Sequence, residues 1–255
     1  MITQLLFQTA LSIFGNDMKK KIYLLCGLLC DATVWQHQAA ALSPHFDVES
    51  IDFQGWDSLT KMAEHVLSRD PEEREFILAG HSMGARVALE VYRLAPQRVE
   101  KLILLDTGTH PLREGETEQR MALLDAVRKN GMPYLIQHWL MPMLAEAHRT
   151  QPEIVQPLTH MVLRFSVDDF TAQLQALIHR PDAASVLNQI RCPLLLGVGE
   201  HDRWSPISQH LAMQQAVPHA QFAVFPDAGH MAPFETPYSV NNILLKWLVP
   251  EIKAS

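Results

Sequence analysis

The stretch FILAGHSMGARVALEVY, residues 76–92, decides the fold. Phe76, Ile77, Leu78 and Ala79 are apolar at every position, as expected for a strand covered on both faces of a parallel sheet. Gly80-His81-Ser82-Met83-Gly84 follows, and the pattern then turns helical from Ala85 to Ala95. A G-x-S-x-G turn between a strand and a helix holds its serine in a strained conformation, exposed at the strand's end. Gly80 and Gly84, flanked by the small Ala79 and Ala85, leave room for helix and strand to approach.

Working outward, further short apolar runs read as strands at 22–26, 48–52, 102–105, 194–198 and 222–225. Amphipathic segments lie between them. Leu59, Met62, Ala63, Val66 and Leu67 follow helical spacing behind Ser58 as N-cap. Val240, Ile243, Leu244, Trp247 and Leu248 do the same, with Thr236 as cap and Pro237 at the first helical position. Alternating strand and helix implies an α/β fold, a mostly parallel, doubly wound sheet with its chemistry at the carboxyl ends of the strands.

One segment breaks the alternation. Residues 111–182 carry only helical patterns, interrupted by Gly131, Pro133, Pro142, Pro152 and Pro157, with one clear stripe of Phe170, Leu174, Leu177 and Ile178. This reads as a helical cap over the active edge, with a core formed by 1–110 and 183–255. The chain has 255 residues, enough for one domain with such an insertion. Its net charge of −7 lacks the basic footprint of a nucleic-acid groove.

A serine at its free pKa is a poor nucleophile and needs a base. Of the 13 histidines, those in helical patterns (His37, His65, His138, His160, His179) read as surface or packing residues. The side chain of His81 should leave the turn in another direction than that of Ser82. His230 lies in Pro226-Asp227-Ala228-Gly229-His230, just beyond the last strand, on the same sheet edge as Ser82. An acid must orient that imidazole. Asp202 fits, in Gly199-Glu200-His201-Asp202 after the strand 194–198; Asp106 is the rival, and Glu200 ranks below both. The chain order Ser82, Asp202, His230 is that of the strand-turn-helix serine hydrolases.

GHSMG around Ser82, GEHD ending in Asp202, DAGH ending in His230 and the helical insertion together resemble the α/β-hydrolase superfamily, from Ile22 to about Pro250. Within it the chain resembles compact serine esterases such as the pimeloyl-ACP methyl ester esterases. The resemblance implies an α/β-hydrolase fold with a helical cap insertion, and a small carboxylic ester cleaved through an acyl-enzyme without a cofactor or metal. It also implies an oxyanion hole of two backbone N–H groups, from Met83 and from Leu28. The family's usual His-Gly-x loop reads Cys26-Gly27-Leu28 here, so its histidine is replaced. A serine at the turn argues against the dehalogenases and epoxide hydrolases among the relatives, which use aspartate there.

Lactone, thioester and carbon–carbon bond hydrolysis stay open on the same triad, as does a receptor that binds a small ligand without turnover. Trp139, Phe165, Trp204 and Met231 are candidate substrate contacts, with Met141 and Met143 as further apolar residues of the cap. An acidic carrier protein as partner would favour a basic cap, yet 111–182 holds seven basic and nine acidic residues. Three cysteines are too few for a disulfide framework or a four-cysteine metal site, and read as reduced thiols of a cytoplasmic protein. The apolar start of the chain is too short to span a bilayer, and the lysine run Lys19 to Lys21 follows it rather than precedes it. It reads as an extra amphipathic helix, or an extension ahead of Met18, with no stable membrane insertion.

Overall fold

The computed structural model describes residues 19–249, so the expectations for the first 18 residues lie outside the described part. Six strands form one sheet: β1 (Lys21–Leu25), β2 (Asp47–Ile51), β3 (Phe76–His81), β4 (Val99–Leu105), β5 (Leu194–Gly199) and β6 (Gln221–Phe225). The order is β2-β1-β3-β4-β5-β6, and all neighbours run parallel. Strands β3 and β5 are buried along their whole length, whereas β2 and β6, at the two edges, keep partly exposed positions. That gradient explains the unbroken apolar runs of the middle strands.

The main helices are α1 (Gln36–Leu42), α2 (Leu59–Ser68), α3 (Met83–Leu94), α4 (Glu116–Asn130), α5 (Pro152–Leu163), α6 (Val167–Ile178), α7 (Ile207–Ala216) and α8 (Pro237–Leu248). α1 packs with α8, and α2 with α3. Because β1 lies between β2 and β3, the winding reverses there, and the crevice at the strand ends opens at that switch point. The loop after β1 and the turn after β3 flank it.

Strand positions agree with the sequence to within a few residues. β3 continues through Gly80 and His81 because both still pair with Leu104 and Leu105. Ser58 caps α2 through its hydroxyl, which accepts the Lys61 N–H. Thr236 is at the N-cap of α8, but its hydroxyl does not cap it and turns back to the Ala232 carbonyl instead. Thr236 also ends the short helix Ala232–Glu235, and that duty claims its side chain. Between β4 and β5 the chain is helical, with one π-helical turn at Ile136–Leu140. α6 opens on a capping box of Ser166 and Asp169 and buries Phe170, Leu174 and Leu177. Among the described residues, no helix is long and apolar enough to cross a membrane.

Candidate active site

Ser82 has φ 54° and ψ −114°, a left-handed backbone that a side chain rarely adopts, fixed by the elements on either side of it. Its N–H donates to the Leu105 carbonyl, and its own carbonyl accepts from the Ala85 N–H and the Thr107 hydroxyl. A side chain at Gly80 would collide with the Ala85 backbone, and one at Gly84 with the Leu25 carbonyl. The two glycines are therefore what lets α3 start so close to β1 and β3.

The structure brings Ser82, His230 and Asp202 together from the ends of β3, β6 and β5. His230 Nε2 is 2.8 Å from Ser82 Oγ, and His230 Nδ1 is 2.8 Å from Asp202 Oδ2. The other oxygen of Asp202 accepts the N–H groups of Trp204 and Ser205. Burial works against the charge of Asp202, yet His230 and those N–H groups outweigh it and hold the carboxyl below its ordinary pKa. The imidazole thus faces a fixed carboxylate on one side and the serine on the other.

Asp106 is fully buried at the end of β4, where its Oδ1 accepts the Gly199 N–H. Burial and the neighbouring Asp202 push its carboxyl well above the ordinary value, despite that bond. It does not reach His230; it ties the β4 end to the β5 end. Glu200 is exposed and accepts the Asp227 N–H. His81 turns beneath the site and donates from Nε2 to the His230 carbonyl at 2.7 Å. Burial, with His230 next to it, lowers its pKa to about 3, so it serves as a neutral strut.

The two oxyanion candidates both border the cavity that holds Ser82. Leu28 follows β1, and Met83 is the first residue of α3. Among the described residues neither N–H has an intramolecular acceptor, and the α3 dipole adds to that of Met83. The loop that lacks the family's histidine is held instead by Gln173. Its Oε1 accepts the Leu29 N–H and its Nε2 donates to the Phe53 carbonyl. Cys26 and Cys30 are buried thiols whose pKa burial raises, as free cysteines packed in a core do.

The cavity measures about 110 Å³ and is lined by Trp139, Met143, Trp204 and Met231 on its apolar side. The π-helical turn carries Trp139, and Trp204 stands half exposed with its ring 6.4 Å from that of His230. Phe165 does not reach this cavity. It lies just past α5, where it packs into the core, and Met141 likewise stays outside the lining.

Two groups escaped the reading of the sequence. Glu235 is a buried carboxylate with four donors: Oε1 accepts the N–H groups of Gly229 and Met231, and Oε2 those of Ala145 and the His148 ring. It brackets His230 from both sides along the chain and ties that loop to the helical segment. Its only sequence signal was a lone acid in an otherwise apolar short helix, Ala232–Glu235. The second group is charged: Arg86, Glu116, Arg120 and Arg180 also line the cavity. Glu116 and Arg120 are spaced four apart on α4, but nothing in the sequence announces that Arg86 and Arg180 join them.

A family model described as "Alpha/beta hydrolase family" matches residues 22–242. The chain is 27% identical over 230 residues to a pimeloyl-[acyl-carrier protein] methyl ester esterase of Nitrosomonas europaea, covering 84% of this chain and 89% of that protein. It is 29% identical to a 2-hydroxy-6-oxononadienedioate/2-hydroxy-6-oxononatrienedioate hydrolase of Paraburkholderia phymatum, over 94% of this chain and 92% of that one. A thermophilic esterase of Thermogutta terrifontis superposes with a TM-score of 0.83 at 29% identity, covering 91% and 90% of the two chains. An enol-lactonase of Burkholderia xenovorans shares the fold, with a TM-score of 0.81 at 21% identity over 90% and 91%. The chain belongs to the alpha/beta hydrolase family.

Proposed function

We propose that this protein is a serine hydrolase of small carboxylic esters, with Ser82 as nucleophile, His230 as base and Asp202 holding the imidazole. The observation that carries this reading is the pair of 2.8 Å contacts linking Ser82, His230 and Asp202 at the wall of one cavity. Ser82 Oγ attacks the carbonyl carbon as His230 takes its proton. The oxyanion that forms is met by the N–H groups of Leu28 and Met83, an interaction whose loss costs about 3–4 kcal/mol in comparable enzymes. His230 then returns the proton to the leaving alkoxide, which departs as alcohol. Water, deprotonated by His230, attacks the acyl-enzyme and frees the acid.

In this reading residues 111–182 act as a cap, Trp139 and Met143 facing the substrate from it and Trp204 and Met231 from the triad loops. Three unpaired cysteines, two of them buried, suit a reducing cytoplasm.

A second reading rests on the Paraburkholderia relative, whose name describes a hydrolase of a dienedioate and a trienedioate. On it, the same serine and histidine cleave a carbon–carbon bond beside a carbonyl. A panel of p-nitrophenyl esters, thioesters, lactones and β-diketo acids separates the two, with p-nitrophenyl esters expected to turn over fastest. In the Ser82→Ala protein, labelling by a fluorophosphonate should vanish and ester turnover should fall about 10⁵–10⁶-fold. Near-normal turnover in that folded variant would overturn the assignment, and ligand binding without any turnover would point to a receptor.

A further inference from the structure

Arg86 lies one turn beyond Ser82 on α3 and opens onto the same cavity, although only 8% of it is exposed. A guanidinium has five N–H donors, yet among the described residues the one hydrogen bond of Arg86 runs to the His110 carbonyl, at 3.1 Å. Among the described residues no carboxylate forms an ion pair with it. Glu116, the acid of this corner, is already committed. It takes both terminal nitrogens of Arg180 at 2.7 and 2.8 Å, and Arg120 at 2.8 Å.

Three arginines thus line a cavity whose one lining carboxylate, Glu116, is paired with two of them, in a protein whose net charge is −7. The consequences show in the titration of the corner. Burial, reinforced by Arg180, lowers the Arg86 pKa to about 9, and His110 is lowered by burial and by the surrounding arginines. A buried cation without a counter-ion costs stability unless another group completes it. The planar fork of arginine fits a carboxylate with two parallel hydrogen bonds. Trp139 and Met143 line the same cavity as Ser82 and the arginines and give it apolar wall.

We propose that Arg86, aided by Arg120 on the same cavity, binds a carboxylate of the substrate, so that the enzyme acts on molecules with a carbonyl to be cleaved at one end and a free carboxylate at the other. The proposal rests on Ser82 as the nucleophile of the proposed function and names the substrate class that function takes. Half-esters of short dicarboxylic acids are the simplest members. The cavity wall supplies the second attachment point, which sets the distance between the anionic end and the scissile bond.

The test compares the monomethyl esters of succinate, glutarate and adipate with their neutral dimethyl esters. In the native protein the best half-ester should exceed its diester at least tenfold in kcat/KM. Arg86→Gln should lower that ratio at least tenfold, and Arg86→Lys, which keeps charge but not the fork, should lower it less. Arg120 is less buried, so Arg120→Gln supplies the same readout if the Arg86 variants fail to fold; its ratio should fall in the same direction. A native ratio of one or less overturns the proposal, as does a ratio that Arg86→Gln and Arg120→Gln leave unchanged. A second arm needs no turnover: calorimetric titration of adipate into the Ser82→Ala protein should give saturable binding that Arg86→Gln weakens at least tenfold. Absence of that binding overturns the anionic subsite, whereas its presence without hydrolysis of any ester overturns only the esterase reading.

Discussion

Two corners of the cavity hold their charges in opposite ways. At the strand ends, Asp202 is ringed by His230 and two backbone N–H groups, and Ser82 is held through the β4 end and Thr107. At the arginine corner, Arg120 and Arg180 share Glu116, and Arg86 spends a single bond on a carbonyl. In the proposed function the first corner is complete before substrate arrives, as groups that must react in a fixed geometry need to be. On the proposal above, the second is completed by the carboxylate it binds. A catalytic constellation gains from having every donor pre-placed, whereas a recognition pocket gains from donors still unspent.

The largest effect should come from breaking the complete corner. Asp202→Asn keeps the volume but presents an amide to the imidazole and favours the wrong tautomer, so kcat should fall about 10³–10⁴-fold. Asp106→Asn should lower it less than tenfold, because Asp106 ties β4 to β5 and does not touch His230. Steady-state kinetics on the two folded variants decides between the acids, and a larger loss at Asp106 would reverse their roles.

Glu235→Gln comes next. An amide offers one oxygen to four donors, and its NH₂ faces N–H groups on the other side. Each hydrogen bond to a charged group contributes about 1.5–3 kcal/mol. Losing two should lower stability by roughly 3 kcal/mol in denaturant melts and, by loosening the His230 loop, turnover by about tenfold. Unchanged stability would mean that the loop holds without its carboxylate.

The contrast between the corners also explains what was legible in the sequence. Ser82, Asp202 and His230 each end a strand-and-loop unit that is continuous in the chain, so GHSMG, GEHD and DAGH point to them directly. The six strands were legible for the same reason: burial on both faces writes itself as an unbroken apolar run. Glu235 and Gln173 were not, because their partners are backbone N–H groups of other segments, and a sequence carries no sign of which N–H lacks an acceptor. Glu116 and Arg120 share α4 at a spacing of four, but Arg86 lies on α3 and Arg180 beyond α6, so only the packing of those helices brings the four together. Phe165 misled in the opposite sense, since an aromatic in a helical segment fits core and cavity equally well until the helix is oriented.

The smallest effect belongs to the arginine corner alone and depends on pH. Burial would raise the Glu116 carboxyl, but the Arg180 side chain, the Arg113 N–H and Arg120 outweigh it and hold its pKa at about 2, against 4.5 for an ordinary glutamate. A carboxyl depressed on folding stabilises the native state above its unfolded pKa, and that contribution disappears as pH falls through the folded one. The window therefore runs from about pH 4.5 down to about pH 2. Other carboxylates titrate there too, so the informative quantity is the difference in Tm between the native protein and Glu116→Gln, followed from pH 6 to pH 2.5. The native lead should be constant above pH 5 and shrink steadily below pH 4.5. A lead that holds to pH 2.5 would mean that the arginines are fixed by the fold rather than by Glu116. The corner would then be as preorganised as the triad, and the distinction between the two would fail.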